Sequence, residues 1–126
     1  MDMRDYFESA NGVGVLATSD ASGTVDAAIY AKPCIIDENT IAFSMLDRLS
    51  YANIRSNPHA AYMFLENGGG YAGKRLYLTK VREETDSDRI KALKKRHSKI
   101  FKPDEINRHL LYFTIDKIRP LVGDET

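Results

Sequence analysis

Short runs of apolar and β-branched residues, separated by turn residues, follow one another along most of this chain and predict β-strands. The predicted strands cover residues 13–18, 25–31, 34–36, 40–45, 60–66, 76–81 and 110–118. The pattern differs at the N-terminus, where Met3, Tyr6, Phe7 and Ala10 recur with the spacing of one helical face. A short helix followed by six or seven strands is therefore expected.

Two more helices are predicted from start and stop signals. Asp47 is a good N-cap because its carboxylate can accept the free amides of a first turn, so a helix should span about residues 48–56 and end at Asn57-Pro58. Thr85–Asp88 resembles a capping box, with acidic residues at the positive end of the helix dipole. The helix that it opens carries a basic face from Arg89 to Lys99.

The connections between strands decide the fold class. Most neighbouring strands are joined by short turns, which favours antiparallel pairing, and the first four strands leave no room for the crossover helices of a parallel sheet. A small barrel or strongly curled sheet with helices outside it closes such a set of strands economically. We therefore expect a mainly β protein, a β-barrel with flanking helices, in a single domain over residues 1–126.

Composition narrows the class of protein. The 126 residues include 18 basic and 18 acidic side chains, and this zero net charge argues against a nucleic-acid-binding protein. No apolar run approaches the roughly 20 residues of a membrane helix, and the N-terminus lacks the features of a signal peptide. The single cysteine, Cys34, excludes an intrachain disulfide and is compatible with a reducing compartment. We expect a cytoplasmic protein without a membrane partner.

Three candidate motifs carry less weight. Gly68, Gly70 and Gly73 match the dinucleotide-binding pattern G-x-G-x-x-G, but a strand-like segment follows where that motif requires a helix, so we expect a hairpin connection. The three histidines lack the spacing of metal ligands, and no metal site is expected. The basic face from Arg89 to Lys99 is either an anion-binding surface or a solvated helix face, and the zero net charge favours the second.

The most informative segment runs from Ser44 to Pro58, where a strand ends and a helix begins after a very short link. The free N–H groups of a first helical turn, the helix dipole, the Arg48 guanidinium and the Ser50 hydroxyl all favour an anion, and phosphate suits them best. An ordinary capped helix with an exposed arginine explains the same residues equally well. The residues alone leave both interpretations open.

A family resemblance favours the phosphate site. The segments that carry it, in chain order, are Gly14–Thr18, Ser22–Asp26, paired strands that end at Phe43-Ser44, a helix with Asn53–Pro58, and the strand Ala60–Phe64. With these segments, the chain from Gly12 to Val81 resembles the pyridoxamine 5′-phosphate oxidase-like split-barrel flavoproteins. The Asn-aliphatic-x-x-Asn-Pro element is the most specific of them.

The resemblance implies a six-stranded antiparallel split barrel of the FMN-binding type, which forms a homodimer with FMN at the interface. The positions that it implies for the phosphate side are Ser44, Arg48, Ser50 and Asn53. Those implied along the isoalloxazine are Ala28, Ile29, Tyr30 and Ala31, with Met45 and Leu46 packing on its edge. Lys32 is implied as a further group that reaches a flavin oxygen or the phosphate.

The implied function is that of a small FMN-dependent oxidoreductase or electron carrier, in which flavin N5 exchanges a hydride or electrons with NAD(P)H or another small redox partner. No catalytic side chain is required. Ser50 and Ala27-Ala28 stand where relatives commonly carry lysine and polar or basic residues. The substrate-binding Arg and His set of true pyridoxamine 5′-phosphate oxidases is missing, which disfavours that activity. A deazaflavin or haem in the same barrel, or an interaction module without a cofactor, is the alternative.

A physical argument independent of the family also predicts a dimer. Leu110–Phe113 and Tyr62–Leu65 place bulky apolar residues on both faces of their strands. One small barrel is expected to bury one face of each strand, so a subunit interface should bury the other.

Overall fold

The computed structural model describes residues 2–46, 48–85 and 109–123. Within them the chain forms two helices and seven strands. In chain order these are α1 Met3–Ser9, β1 Gly12–Ser19, β2 Val25–Tyr30, β3 Cys34–Ile35, β4 Thr40–Met45, α2 Leu49–Ser56, β5 His59–Glu66, β6 Gly73–Glu84 and β7 His109–Pro120. The predicted N-terminal helix and all the predicted strands are confirmed, whereas the helix predicted around residues 89–99 lies outside the described residues.

The strands form one sheet in the order β2-β1-β5-β6-β7-β4-β3, and every pairing in it is antiparallel. The sheet curls into a half-barrel, which confirms the predicted split-barrel fold class. The resemblance implies six strands, whereas the described residues form seven. The additional strand is β3, a two-residue strand that follows Pro33 and pairs with β4 at one edge. The other edge is β2, which pairs with β1.

The turn between β1 and β2 sets the register of that edge. The Asp20 carboxylate accepts hydrogen bonds from the backbone amides of Ser22 and Thr24, at 2.9 and 3.0 Å. Bonds from the Ser22 hydroxyl and the Thr24 amide also hold the pKa of Asp20 below its ordinary value. The hairpin closed in this way pairs Gly14 with Tyr30.

Aromatic side chains fill the interior of the half-barrel. Helix α1 buries Tyr6 and Phe7, and the Phe7 ring meets Phe64 edge-on with centroids 5.4 Å apart. Phe43 and Tyr62 continue the cluster with centroids 5.0 Å apart. Burial of each large ring stabilises the fold by about 1.5–3 kcal/mol, so this cluster holds α1, β4 and β5 together.

The segment Leu110–Phe113 of β7 leaves no apolar face for a partner to cover, contrary to the expectation from the sequence. All four residues of Leu110–Phe113 are buried within one chain: two join the main core, and two pack with Cys34 and Ala42 in a second cluster. Both faces of this part of β7 are therefore covered without a partner. On β5, by contrast, Leu65 is exposed and Met63 is half-buried.

Helix α2 starts one residue later than predicted. Its N-cap is Arg48 rather than Asp47, and the Arg48 side chain forms no capping hydrogen bond. The helix ends at Ser56, and Asn57-Pro58 leads into β5 as predicted. Across the described ranges, no helix has the length and apolar character needed to cross a membrane.

The glycine-rich loop is the hairpin connection that its sequence predicts. It joins β5 to β6, and Gly68, Gly69 and Gly70 have φ angles of 103°, 77° and 76°, which glycine adopts at little cost. Strand β6 follows directly, so this loop lacks the helix that a dinucleotide-binding motif requires.

Gly14 occupies the tightest position in β1. A Cβ atom there would lie 1.9 Å from the Tyr62 hydroxyl and 2.6 Å from the Tyr30 carbonyl oxygen. We expect Gly14→Ala to lower the free energy of unfolding by about 1–3 kcal/mol, as overpacked cores do. Urea denaturation measures this change. Alanine is otherwise favoured over glycine inside a strand, so a variant as stable as the parent would contradict the crowding shown here.

Candidate functional site

A cleft of about 570 Å³ opens between the edge strand β2, the end of β4 and the start of α2. It is lined by residues from these three elements and from the links that follow β2 and β4. The lining residues are Asp26, Ala28, Ile29, Tyr30, Ala31, Lys32, Ala42, Phe43, Ser44, Leu46, Arg48, Leu49 and Ser50.

The β2 wall of the cleft is largely apolar. Its alternation places Asp26, Ala28 and Tyr30 on one side of the strand, where all three are half-buried. Ile29 lies on the other side, is 72% exposed and still borders the cleft, so the cleft continues onto the outer face of the sheet. Among the described strands β2 pairs only with β1, so in this part of the chain its other side is an open sheet edge.

The opposite end of the cleft is polar and positive. Arg48 is exposed and, within the described ranges, its guanidinium has no ion-pair or hydrogen-bond partner. Ser50 is 6% exposed, borders the cleft, and its hydroxyl has no hydrogen-bond partner among the same residues. Both stand at the start of α2, whose dipole places partial positive charge there. This end of the cleft therefore matches an anion with several acceptor oxygens.

Lys32 lines the cleft and also forms hydrogen bonds to the end of α1. Its ammonium donates hydrogen bonds to the carbonyl oxygens of Phe7 and Ala10, at 2.8 and 2.7 Å, at the C-terminal end of α1. A cation is favourable at that end of a helix. The side chain thus ties the cleft wall to α1 while it borders the cleft.

Tyr62 supports the same wall from inside the barrel. Its phenol donates to the carbonyl oxygens of Ala31 at 3.0 Å and Tyr30 at 3.3 Å. Burial, together with the nearby Tyr6 phenol, raises the pKa of Tyr62 above its ordinary value, so the hydroxyl keeps its proton and remains a donor.

The structure gathers most of the predicted site residues in this one cleft. They are Ala28, Ile29, Tyr30, Ala31, Lys32, Ser44, Leu46, Arg48 and Ser50. Met45 lies elsewhere: it is 1% exposed and belongs to the hydrophobic core. Asn53 is buried, and its amide donates to the Thr18 hydroxyl at 3.0 Å. These two residues support the elements around the cleft instead of lining it.

Some lining residues were missed by the sequence reasoning. Asp26, Ala42, Phe43 and Leu49 border the cleft but were not predicted. Asp26 could have been predicted from the sequence, because residues two apart on a strand share a face and Ala28 was predicted to line the site. The described residues contain no group of His, Cys, Asp and Glu side chains that could hold a metal ion.

The start of α2 is held in place by a polar cluster on its far side. The Tyr51 hydroxyl donates to the Glu83 carboxylate at 2.6 Å, and the Tyr51 ring stacks on His109 with centroids 3.9 Å apart. The Lys80 ammonium donates to the same carboxylate at 2.6 Å. Burial acts to raise the pKa of Glu83, but the hydrogen bonds from Lys80 and Tyr51 outweigh it and hold this pKa below its ordinary value.

A comparison of sequences places the chain in a family. The family profile of pyridoxamine 5′-phosphate oxidase matches residues 2–121, and the chain therefore belongs to this family. Among individual curated proteins, none matches the sequence.

Solved structures share the fold. An FMN-binding protein from Syntrophomonas wolfei subsp. wolfei matches with a TM-score of 0.80 and 21% identity, over 97% of this chain and 85% of that one. A tagged form of HupZ from Group A Streptococcus matches with a TM-score of 0.74 and 20% identity, over 94% and 90% of the two chains. An F420 reductase matches with a TM-score of 0.70 and 16% identity, over 91% and 94%. At these identities the likeness shows the fold alone.

The Glu83 cluster makes stability depend on pH. Because the folded pKa of Glu83 lies below the ordinary 4.5, its contribution is complete above pH 4.5 and is lost as the pH falls through the folded value. We expect Glu83→Gln to lower the free energy of unfolding by about 1 kcal/mol at pH 7. The difference between variant and parent should shrink below pH 4.5.

Urea denaturation across this pH range measures the effect. Glu8→Gln is the matched control, since Glu8 is an exposed acid on α1 outside the cluster. A Glu83→Gln deficit that stays constant down to pH 3 would contradict the assignment.

Proposed function

We propose that this chain binds FMN in the cleft between β2, β4 and α2 and acts as a small flavin-dependent oxidoreductase or electron carrier. The observation that carries the proposal is the polar end of the cleft, where the Arg48 guanidinium and the Ser50 hydroxyl stand at the start of α2. The FMN-binding protein of similar fold and the family itself support the same ligand.

The donor set fits a phosphate. A phosphate monoester presents acceptor oxygens that match a guanidinium, a hydroxyl and the amides of a first helical turn. Ser44 borders the same end of the cleft. Of the charged side chains that line the cleft, Lys32 and Arg48 are positive and Asp26 is negative, so the described lining also favours an anion.

The apolar wall fits a flat ring system. Ala28 and Ala31 leave room beside the β2 backbone, and Phe43, Tyr30 and Leu46 offer apolar surface. When bound, FMN supplies hydride and electron transfer at its ring. The residues of this chain bind the phosphate, orient the ring and restrict access of water. The cleft lining therefore needs no acid–base pair, and NAD(P)H or another small redox compound would be the electron partner.

The proposal includes a homodimer with the flavin at its interface. Two rows of paired residues cross the outer face of the sheet from β2 to β6: Ile29, Val15, Met63 and Arg75 in one, Ala27, Ala17, Ala61 and Tyr77 in the next. Six of these eight residues are Ala, Val, Ile or Met, and Ile29 and Ala27 are exposed. Since Ile29 also borders the cleft, a second copy packed on this face would reach the bound flavin. We place this dimer in the cytoplasm, in keeping with its single cysteine.

Loss of the phosphate contacts should weaken FMN binding. We expect Arg48→Ala combined with Ser50→Ala to raise the Kd for FMN at least about tenfold, since each contact contributes about 1 kcal/mol. Fluorescence titration of FMN measures this. Arg55→Ala is the matched control, because Arg55 lies in the last turn of the same helix and outside the cleft. An unchanged affinity in the double variant would reject the phosphate site.

The spectrum of the purified protein tests the choice of cofactor. FMN gives an absorption band at about 450 nm, whereas haem gives a Soret band at about 400 nm. Titration with F420 covers the deazaflavin alternative, which the F420 reductase of similar fold supports. Protein that stays colourless after incubation with each of these compounds would support the interaction module instead.

We expect the residues on the outer face of the sheet to determine whether the chain forms a homodimer. We expect the parent chain to show a mass near twice 14.2 kDa in light scattering. Met63→Glu should shift it to the monomer, because a charge on this apolar face opposes burial. Val81→Glu, at an exposed apolar residue outside the two rows, is the control. Circular dichroism establishes that both variants fold, and a monomeric parent would contradict the interface.

A further inference from the structure

The end of β2 is held at three consecutive residues. Tyr30 is the last residue of the strand, and Ala31 and Lys32 follow it outside any strand. The Tyr62 phenol binds the carbonyl oxygens of Tyr30 and Ala31. The Lys32 ammonium binds two carbonyl oxygens of α1, so it fixes the same segment from another direction.

Gly14 creates the opening through which the Tyr62 hydroxyl reaches β2. The hydroxyl would lie 1.9 Å from any Cβ at this position. Tyr62 is fully buried and stands on β5, two strands away from β2 in the sheet. The contact therefore crosses β1 and fastens a segment that an edge strand would otherwise leave weakly held.

We infer that Tyr62 and Lys32 are positioning residues, which fix the Tyr30–Lys32 wall of the cleft and do not themselves bind the phosphate of the ligand. This inference rests on the proposed function for its ligand. Two of the three N–H donors of the Lys32 ammonium are already directed at α1 carbonyl oxygens, which leaves this residue poorly placed to act as a phosphate ligand. The charge for the phosphate comes from Arg48 at the other end of the cleft.

The two roles differ in how they affect riboflavin, which has the ring of FMN and no phosphate. Loss of a phosphate ligand weakens FMN binding and leaves riboflavin binding nearly unchanged. Loss of a positioning residue weakens both by the same factor, because it loosens the wall that the ring contacts. The ratio of the two dissociation constants therefore separates the roles.

The experiment compares Tyr62→Phe, Lys32→Met and Arg48→Ala in parallel titrations with FMN and riboflavin. We expect the first two to weaken both ligands about fivefold, because only part of the energy of the lost hydrogen bonds is transmitted to binding, and to keep the ratio of the parent. Arg48→Ala should change that ratio. The absorption bands of FMN bound to Tyr62→Phe should also lose fine structure, as a more solvated ring does.

Tyr6→Phe is the matched control. Tyr6 is also a largely buried tyrosine on the core, and its hydroxyl donates to the Glu66 carboxylate at 2.7 Å, outside the cleft. Its loss should reduce stability to a similar extent, with unchanged binding and an unchanged FMN spectrum. Equal effects of Tyr6→Phe and Tyr62→Phe on binding would show a general loss of stability and overturn the inference.

A readout without ligand keeps this inference separate from the proposed function. Hydrogen–deuterium exchange of the protein alone should speed up at residues 30–32 in Tyr62→Phe and Lys32→Met and stay unchanged there in Tyr6→Phe. If the parent protein binds no FMN and the two variants still exchange faster at residues 30–32, the positioning role of Tyr62 and Lys32 is supported and FMN is rejected as the ligand. Unchanged exchange, or a selective loss of FMN over riboflavin in Lys32→Met, would overturn the positioning role.

Discussion

Strand β2 stands at the edge of the sheet, and one ladder of hydrogen bonds, to β1, holds it there. An edge strand is the part of a sheet that opens most readily, yet here it forms one wall of the candidate cleft. The Tyr62 phenol holds this wall in place. It reaches across β1 and donates to the carbonyl oxygens of Tyr30, the last residue of β2, and of Ala31, which follows it. The rings of Phe7 and Phe43 pack against Tyr62, and Gly14 leaves room for its hydroxyl, so these residues keep that hydroxyl in place.

The second wall is held by different means. Helix α2 has a cleft-facing start without a side-chain cap, which on its own would fray. Asn53 ties its inner side to Thr18 on β1, and Tyr51 ties its far side to Glu83 on β6. Because the protein has already ordered this turn, an anion that binds there does not have to order it. The polar contacts behind the helix thus lower the entropic cost of binding in front of it.

Local sequence pattern explains most of the fold but only part of the site. The strands, the first hairpin and the short α1 follow from periodicity and turn residues. Strand alternation does not account for Met45, since Phe43 on the same face of β4 borders the cleft whereas Met45 lies in the core. The Tyr62 contact cannot be predicted from local sequence pattern, because it joins residues more than 30 positions apart through a gap at Gly14. The complete burial of Leu110–Phe113 likewise depends on a second cluster around Cys34, which no single segment reveals.

The zero net charge of the chain and the positive end of its cleft are consistent with one another. Binding of one phosphate requires local charge at a fixed place, and a surplus spread over the surface would not supply it. Arg48 offers that charge at the start of α2, a few residues after the end of β4. The barrel itself sets the size of the cleft and its apolar wall. Under the proposed function, Arg48 and Ser50 at the polar end would select a ligand that carries a phosphate.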